Sequence, residues 1–443
     1  MPSKEELKAK VCLEIDKRSS EIIEMAKNIG ENPETGFREV KTARLVAEKF
    51  AALGLTYGDG LALTGVKAVL PCTGEGPTVA VLGELDSLIV PDHPLADPKT
   101  GAAHACGHHG QIGMLIGSAI GILGARIADY LSGRIVFMAV PAEEYIEIGF
   151  RDELRKSGKI TYLAGKQELI KLGQFDDIDM AMMTHSLSIP GDKKIVVGGT
   201  SNGMVAKQVR FIGRSAHAGS SPHQGINALN AAMIALNAIN SQRETFRDQD
   251  AIRVHPIITR GGETVNIVPA DVRMETYVRG RTMNAIQSAN GKVDRCLRAG
   301  ALAVGGKVGI TTLPGYSPMM NNEILQDVYY KNAVLLLGES AIIQSYGHMA
   351  GSTDMGDVSQ IMPAIHSYAG GTSGITHGND FLIRDYEQAV LVPAKIMAMT
   401  VIDLLADGAA KAREIKENST PLLSKEQYIS SMNGLLREAE YAD

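Results

Sequence analysis

The chain has 443 residues, 44% of them hydrophobic and 21% charged, with a net charge of −6. That composition can bury large cores and excludes a disordered chain, and the acidic balance argues against nucleic acid as a main partner. Four scattered cysteines, Cys12, Cys72, Cys106 and Cys296, do not make the dense paired framework of a small disulfide-stapled domain.

Residues 5–28 are charged and amphipathic and read as an opening helix without the apolar core of a signal peptide. Pro33 and Gly36 break it, and a second helix is predicted over 38–53, ending near Gly54. The run TVAVLGEL (78–85) is a buried strand, 111–127 a helix of small and apolar residues, and RIVFMAV (134–140) and IDMAMMT (178–184) two further buried strands. Near residue 199 the pattern changes to a strand (203–213), a helix (225–242), two strands (252–259 and 271–279), a helix (283–300) and a strand (306–312). After Pro314 come helices near 323–337 and 355–361, the apolar segment PAIHSYAG and a long helix at 384–406. The last thirty residues are polar and predict a surface helix. No uninterrupted apolar run reaches about 18 residues, so neither a membrane helix nor a membrane partner is expected, and the cytoplasm is the expected location.

Strands alternating with helices imply an α/β fold, a mostly parallel sheet flanked by helices. The change of pattern implies one catalytic domain (1–197 and 314–443) interrupted by an inserted α+β domain (198–313).

Ligands in open α/β sheets bind beyond the carboxyl ends of the strands. One predicted strand runs into Glu143 and Glu144, another into His185, a third into Asp86. Between the strands 78–85 and 134–140 lies His104-Ala-Cys106-Gly-His108-His109, a thiol and several imidazoles with metal-ligand character. Gly107 gives a spacing suited to a loop around an ion, and a thiolate can bridge two cations. Adjacent glutamates suit a division of labour, one holding metal and one moving a proton. Singly, a cysteine is most often a small buried hydrophobe and a Glu-Glu pair a solvated face. The reading rests on their coincidence at one sheet edge.

These residues resemble the aminoacylase/glutamate carboxypeptidase superfamily of dinuclear metallohydrolases, the M20 peptidase family. Within it the resemblance is to the amidohydrolase branch of p-aminobenzoyl-glutamate hydrolase subunits and auxin-conjugate hydrolases. It is carried by NPETGFRE (32–39), GELDSL (83–88), HACGHH (104–109), PAEE (141–144), THSLSIPG (184–191), GRSAHAGSSPHQGINAL (213–229), ETVNIVPADV (263–272), GSTDMGDVS (351–359) and THGNDF (376–381). The resemblance implies two divalent cations, zinc or manganese, bridged by Cys106. His108 and His185 complete one site, Glu144 and His377 the other. It makes Glu143 the general base and Asp86 a hydrogen-bonding support for the metal loop. The inserted domain becomes a lid and homodimerisation domain. There His217 stabilises the oxyanion, often across a dimer, and Asn266 and Arg279 bind a substrate carboxylate. His109 and Gln111 depart from the branch's usual aspartate and histidine, so His109 is read as structural. Glu84 stands where relatives carry histidine or aspartate and is not assigned as a ligand. His366, inside an apolar run, is read as core or supporting.

The expected activity is metal-dependent hydrolysis of an amide bond in a small molecule with a free carboxylate: an N-acyl amino acid, an aminobenzoyl-glutamate-like conjugate or a dipeptide. The alternatives are a dipeptidase proper and a non-catalytic ligand-binding subunit of a hetero-oligomer.

Overall fold

The computed structural model describes residues 2–442. A nine-stranded sheet organises the first unit. Its centre is four parallel strands in the order Ser132–Val140, Gly74–Glu84, Met180–Ser186, Ala364–Ala369. The apolar runs that predicted the first three are buried on both faces, as a parallel sheet requires, while Ala364–Ala369 was read only as an apolar segment. Two strands absent from the sequence reading, Thr56–Leu61 and Gly65–Pro71, add an antiparallel edge beside Ser132–Val140. On the other side Ile195–Ser201 pairs antiparallel with Ala364–Ala369 and parallel with Ile342–Met349.

Helix His108–Gly124 packs on this sheet, every residue from His108 to Ile122 buried. The segment Glu387–Leu405 is long and apolar enough to cross a membrane by composition alone. Here it is a core element packed on His108–Gly124, opening with a π-helical turn at Glu387–Leu391. The predicted opening helix is two helices, Lys4–Lys17 and Ser19–Glu31. Arg18 leaves helical geometry between them (φ −110°, ψ 17°), and its guanidinium turns onto the Glu21 carboxylate at 2.8 and 3.0 Å.

The second unit is a six-stranded antiparallel sheet carrying helices Ala228–Ser241 and Met283–Val304 on one face. Its order is Arg253–Val254, Asp271–Gly280, Gly203–Ile212, Lys307–Pro314, Arg437–Tyr441, with Ile257–Arg260 also on Asp271–Gly280. The predicted strand 252–259 is interrupted because Pro256 has no N–H for the ladder. The chain crosses between sheets at Asn202, so the expected boundary at 198 falls inside a strand of the first sheet. Asn202 is buried and ties the units: Nδ2 donates to Ala251 O (2.9 Å) and Ala350 O (3.2 Å), and Oδ1 faces His348 Nε2 at 2.9 Å.

The polar C-terminus departs from expectation. It forms helix Lys425–Asn433 and then strand Arg437–Tyr441, paired with Lys307–Pro314 in the second sheet. Residues 437–441 thus leave the range 314–443 expected for the first unit, because that strand's free edge offers ladder partners that a solvated helix lacks.

Candidate metal centre

Parallel strands deliver the polar side chains to one edge. Glu84 ends its strand, Asp86 follows, and His185 is the penultimate residue of Met180–Ser186. After Ser132–Val140 the chain turns through Ala142, whose φ of 52° is unusual for a side-chain-bearing residue. That turn is pinned on both sides. Its N–H donates to Glu39 Oε1 (2.7 Å), and its carbonyl accepts from Gly165 N (3.2 Å) and Arg151 Nη1 (3.3 Å). The turn aims Glu143 and Glu144 at the edge. Gly107, at φ 88°, lets the cysteine loop lie on the sheet, since a Cβ there would meet Ser186 Cβ at 3.0 Å. His377 is also left-handed (φ 69°), and its N–H donates to Ala105 O at 2.9 Å, docking its loop on the cysteine loop.

Cys106 belongs to two donor groups, Cys106–His108–His185 and Cys106–Glu144–His377, each with its donor atoms within 4.8 Å of one another. Cys106 Sγ lies 3.3 Å from His185 Nε2, and His377 Nε2 lies 3.2 Å from Glu144 Oε1. The five residues expected as ligands therefore converge, and Asp86 braces them. Its carbonyl and Oδ1 face His108 Nδ1 at 2.9 and 3.2 Å, and Oδ2 accepts from Glu144 N at 2.9 Å. With Nδ1–H donated to Asp86, His108 presents Nε2. His185 does the same, its Nδ1 being 2.6 Å from Ser186 O.

A third group, Glu84–His108–Glu143, extends the cluster. Glu84 Oε2 is 3.2 Å from His108 Nε2, and Glu143 Oε2 is 4.0 Å from it. Behind Glu84 lies a buried ion network that the sequence reading missed. Lys166 Nζ contacts Glu84 Oε1 and Asp354 Oδ1, both at 2.5 Å, and Gln111 Nε2 donates to Glu84 Oε2 at 2.7 Å.

Burial pushes the Glu143 carboxyl well above its usual range, and the Glu84 and Glu144 charges push the same way. Glu144 is buried too, yet the His377 and His108 cations hold it below that range. Burial and Glu144 act to raise the Cys106 thiol, but His185, His108 and His377 bring it down to about 6. Glu144 in turn lifts His377 to about 11. The imidazoles thus hold protons against a thiolate and carboxylates, and those protons are what a bound cation displaces.

The donor set fits divalent metal. His108 Nε2 and Glu144 Oε1 are buried without hydrogen-bond partners, although each has an oppositely charged group 3.2 Å away. One soft sulfur with imidazoles and a carboxylate suits zinc, manganese, cobalt or nickel. His109 joins none of these groups. Its Nε2 lies 3.4 Å from Tyr386 Oη behind the loop. His366 is buried, with Nδ1 3.0 Å from Tyr368 Oη and its ring against His185.

The cluster opens into a cavity of about 580 Å³, also lined by Tyr145, Tyr277, Arg279 and Tyr316. The Tyr316 hydroxyl donates to the Glu143 carbonyl, so the strand crossing after Pro314 touches the turn that carries the glutamates. Arg279, expected at a substrate carboxylate, is in this cavity. His217 and Asn266 are not. His217 sits on the second unit, its Nδ1 accepting from Gly219 N and Ser220 N at 3.1 Å. Asn266 lies beside it, its carbonyl accepting from Ala218 N at 2.9 Å.

The model of peptidase family M20/M25/M40 matches residues 80–401. A mouse protein named Xaa-Arg dipeptidase is 29% identical over 374 residues, 80% of this chain and 78% of its own length. An Arabidopsis thaliana protein named IAA-amino acid hydrolase ILR1-like 2 is 25% identical over 408 residues, 88% of this chain and 86% of its own. Among solved structures, a Bacillus subtilis protein described as a dinuclear metal binding peptidase superposes with a TM-score of 0.63 at 20% identity, covering 87% of this chain and 98% of that one.

Proposed function

Because the chain belongs to peptidase family M20/M25/M40 it is a metal-dependent amide-bond hydrolase, and we propose that it cleaves N-acyl amino acids or dipeptides with a free carboxylate. We assign it two divalent cations, one held by Cys106, His108 and His185, the other by Cys106, Glu144 and His377. The observation that carries this assignment is the single sulfur of Cys106 common to both donor groups. Cations bound there polarise an amide carbonyl and bring the pKa of water towards neutrality.

The chain's own residues supply the rest. Glu143 takes a proton from the attacking water and returns it to the leaving nitrogen. Burial and the neighbouring carboxylates raise its affinity for a proton, which opposes the pull of bound cations on the carboxylate. Arg279 grips the free carboxylate and so fixes the substrate's orientation.

His217 and Asn266 fit a role in a second copy's cavity better than in their own. They lie next to Val265, which is 100% exposed, and Ile267, which is 41% exposed, on the second unit. We propose a homodimer in which His217 reaches the partner's oxyanion. Mixing Glu143→Gln chains with His217→Ala chains then rebuilds one intact site in each heterodimer. The mixture should recover about a quarter of wild-type activity from two inactive parents. An active His217→Ala parent would place His217 outside the reaction, and two inactive parents without recovery would place it in its own chain's site.

The activity itself is tested by metal analysis of the purified protein and a panel of N-acyl amino acids, aminobenzoyl-glutamate and dipeptides. Turnover of at least one class, lost on chelation and restored by zinc or manganese, is expected. A dipeptide-only profile would favour the dipeptidase reading, which the mouse relative's name suggests. Binding without turnover in every metal would favour the non-catalytic one.

A further inference from the structure

The cavity carries more positive charge than one carboxylate-binding arginine. Arg253 and Arg279 are directly opposed in register across strands Arg253–Val254 and Asp271–Gly280, and both line the cavity. Like charges in that cross-strand position repel. Neither guanidinium is ion-paired with a carboxylate among the described residues. Arg253 Nη1 donates only to the Ile252 carbonyl (2.9 Å), while Arg279 Nε donates to His255 Nε2 (3.1 Å). His255, two residues beyond Arg253, lines the same cavity.

Arg279 is also held in orientation. Its guanidinium carbon stands 5.2 Å from the centre of the Tyr277 ring, and its Nε is spent on His255. Its two terminal nitrogens are left in a plane suited to a bidentate anion. To accept from Arg279, the His255 ring must be neutral. Burial and the Arg279 cation, with Arg243 beyond it, keep its pKa below the usual histidine value. Arg253 and His255 are exposed at the cavity mouth, but the strand register sets Arg253 opposite Arg279, so two guanidiniums without carboxylate partners face one cavity.

We infer that Arg253, His255 and Arg279 form one carboxylate subsite: both arginines grip the free carboxylate of the leaving amino acid, and His255 is the positioning residue that fixes the plane of Arg279. The inference deepens the proposed hydrolysis and rests on that reading for the identity of the anion. It makes the enzyme an obligate reader of a C-terminal or α-carboxylate. Amides that lack one are excluded by two stranded charges rather than by shape. Asn266, the other residue expected to bind this group, is outside the cavity of its own chain.

The test separates binding from turnover. In the Glu143→Gln protein, ligand-observed NMR titrations compare N-acetylglycine with N-acetylglycinamide. The carboxylate should bind at least about tenfold more tightly than the neutral amide. Arg253→Met should erase most of that ratio while leaving the weak binding of the amide unchanged. His255→Phe should reduce it similarly, and His255→Gln, which keeps an acceptor, should restore it. In the active enzyme the same Arg253 change should raise KM about tenfold with kcat within twofold. Equal binding of the two probes, or a ratio unchanged by Arg253→Met, overturns the subsite. Failure of every amide to be hydrolysed overturns instead the reading on which it rests, and the NMR ratio tells the two apart.

Discussion

Replacing Glu143 with glutamine is expected to lower kcat about 10³-fold, the scale of losing a positioned general base. Metal content should stay at the wild-type level. The reasoning is geometric. Glu143 belongs only to the outer group with Glu84 and His108, while the two groups that share Cys106 do not include it. Glutamine keeps the shape and loses the proton. The variant should also be no less stable than wild type, since burial and two nearby carboxylates make the charged form of Glu143 costly. Metal analysis beside steady-state kinetics decides the matter. Activity near wild type would remove Glu143 from the reaction, and coupled loss of metal would make it a ligand.

The second large effect lies behind the site. Lys166→Met should destabilise the fold by about 3–5 kcal/mol, because removing one member of a buried ion network leaves its partners uncompensated. Lys166 is fully buried between Glu84 and Asp354, and its backbone N–H also donates to Asp354 Oδ2 at 3.0 Å. Deleting the ammonium strands two carboxylates at the base of the metal cluster. Urea unfolding of wild type and variant reads the difference. A change under about 1 kcal/mol, the size of an ordinary point-mutation effect, would mean that the network contributes little.

What could be read in the sequence, and what could not, follows from where each signal is stored. Glu143, Glu144 and His185 were legible because long apolar runs end abruptly in polar residues, and polar groups at the carboxyl ends of parallel strands mark a ligand site. The cysteine loop was legible because three donors within a few residues have few other uses. Lys166 left no such trace. Its helix Gly165–Lys171 is short, and only the folded chain brings it to Asp354. Strand Thr56–Leu61 was missed because it is almost wholly exposed and carries two glycines in TYGDGL, so it has no apolar period to detect. The break at Arg18 was missed because nothing in KRSS is a helix breaker. The placement of His217 outside its own cavity is a property of two folded units, and no local pattern encodes it.

The terminal strand Arg437–Tyr441 has a temporal consequence. The second sheet draws on residues 203–212, 253–280 and 307–314, then waits for residues 437–441 to cover the edge of Lys307–Pro314. During synthesis that edge stays open while more than a hundred further residues emerge, including the loop that carries His377. The second sheet therefore closes only after the metal-binding residues of the first have all been made. Until then the nascent chain carries an unpaired β-edge of the kind that recruits foreign strands. Once paired, Arg437–Tyr441 is itself the outer edge of the sheet, and its charged residues Arg437, Glu438 and Glu440 discourage a further strand from adding to it.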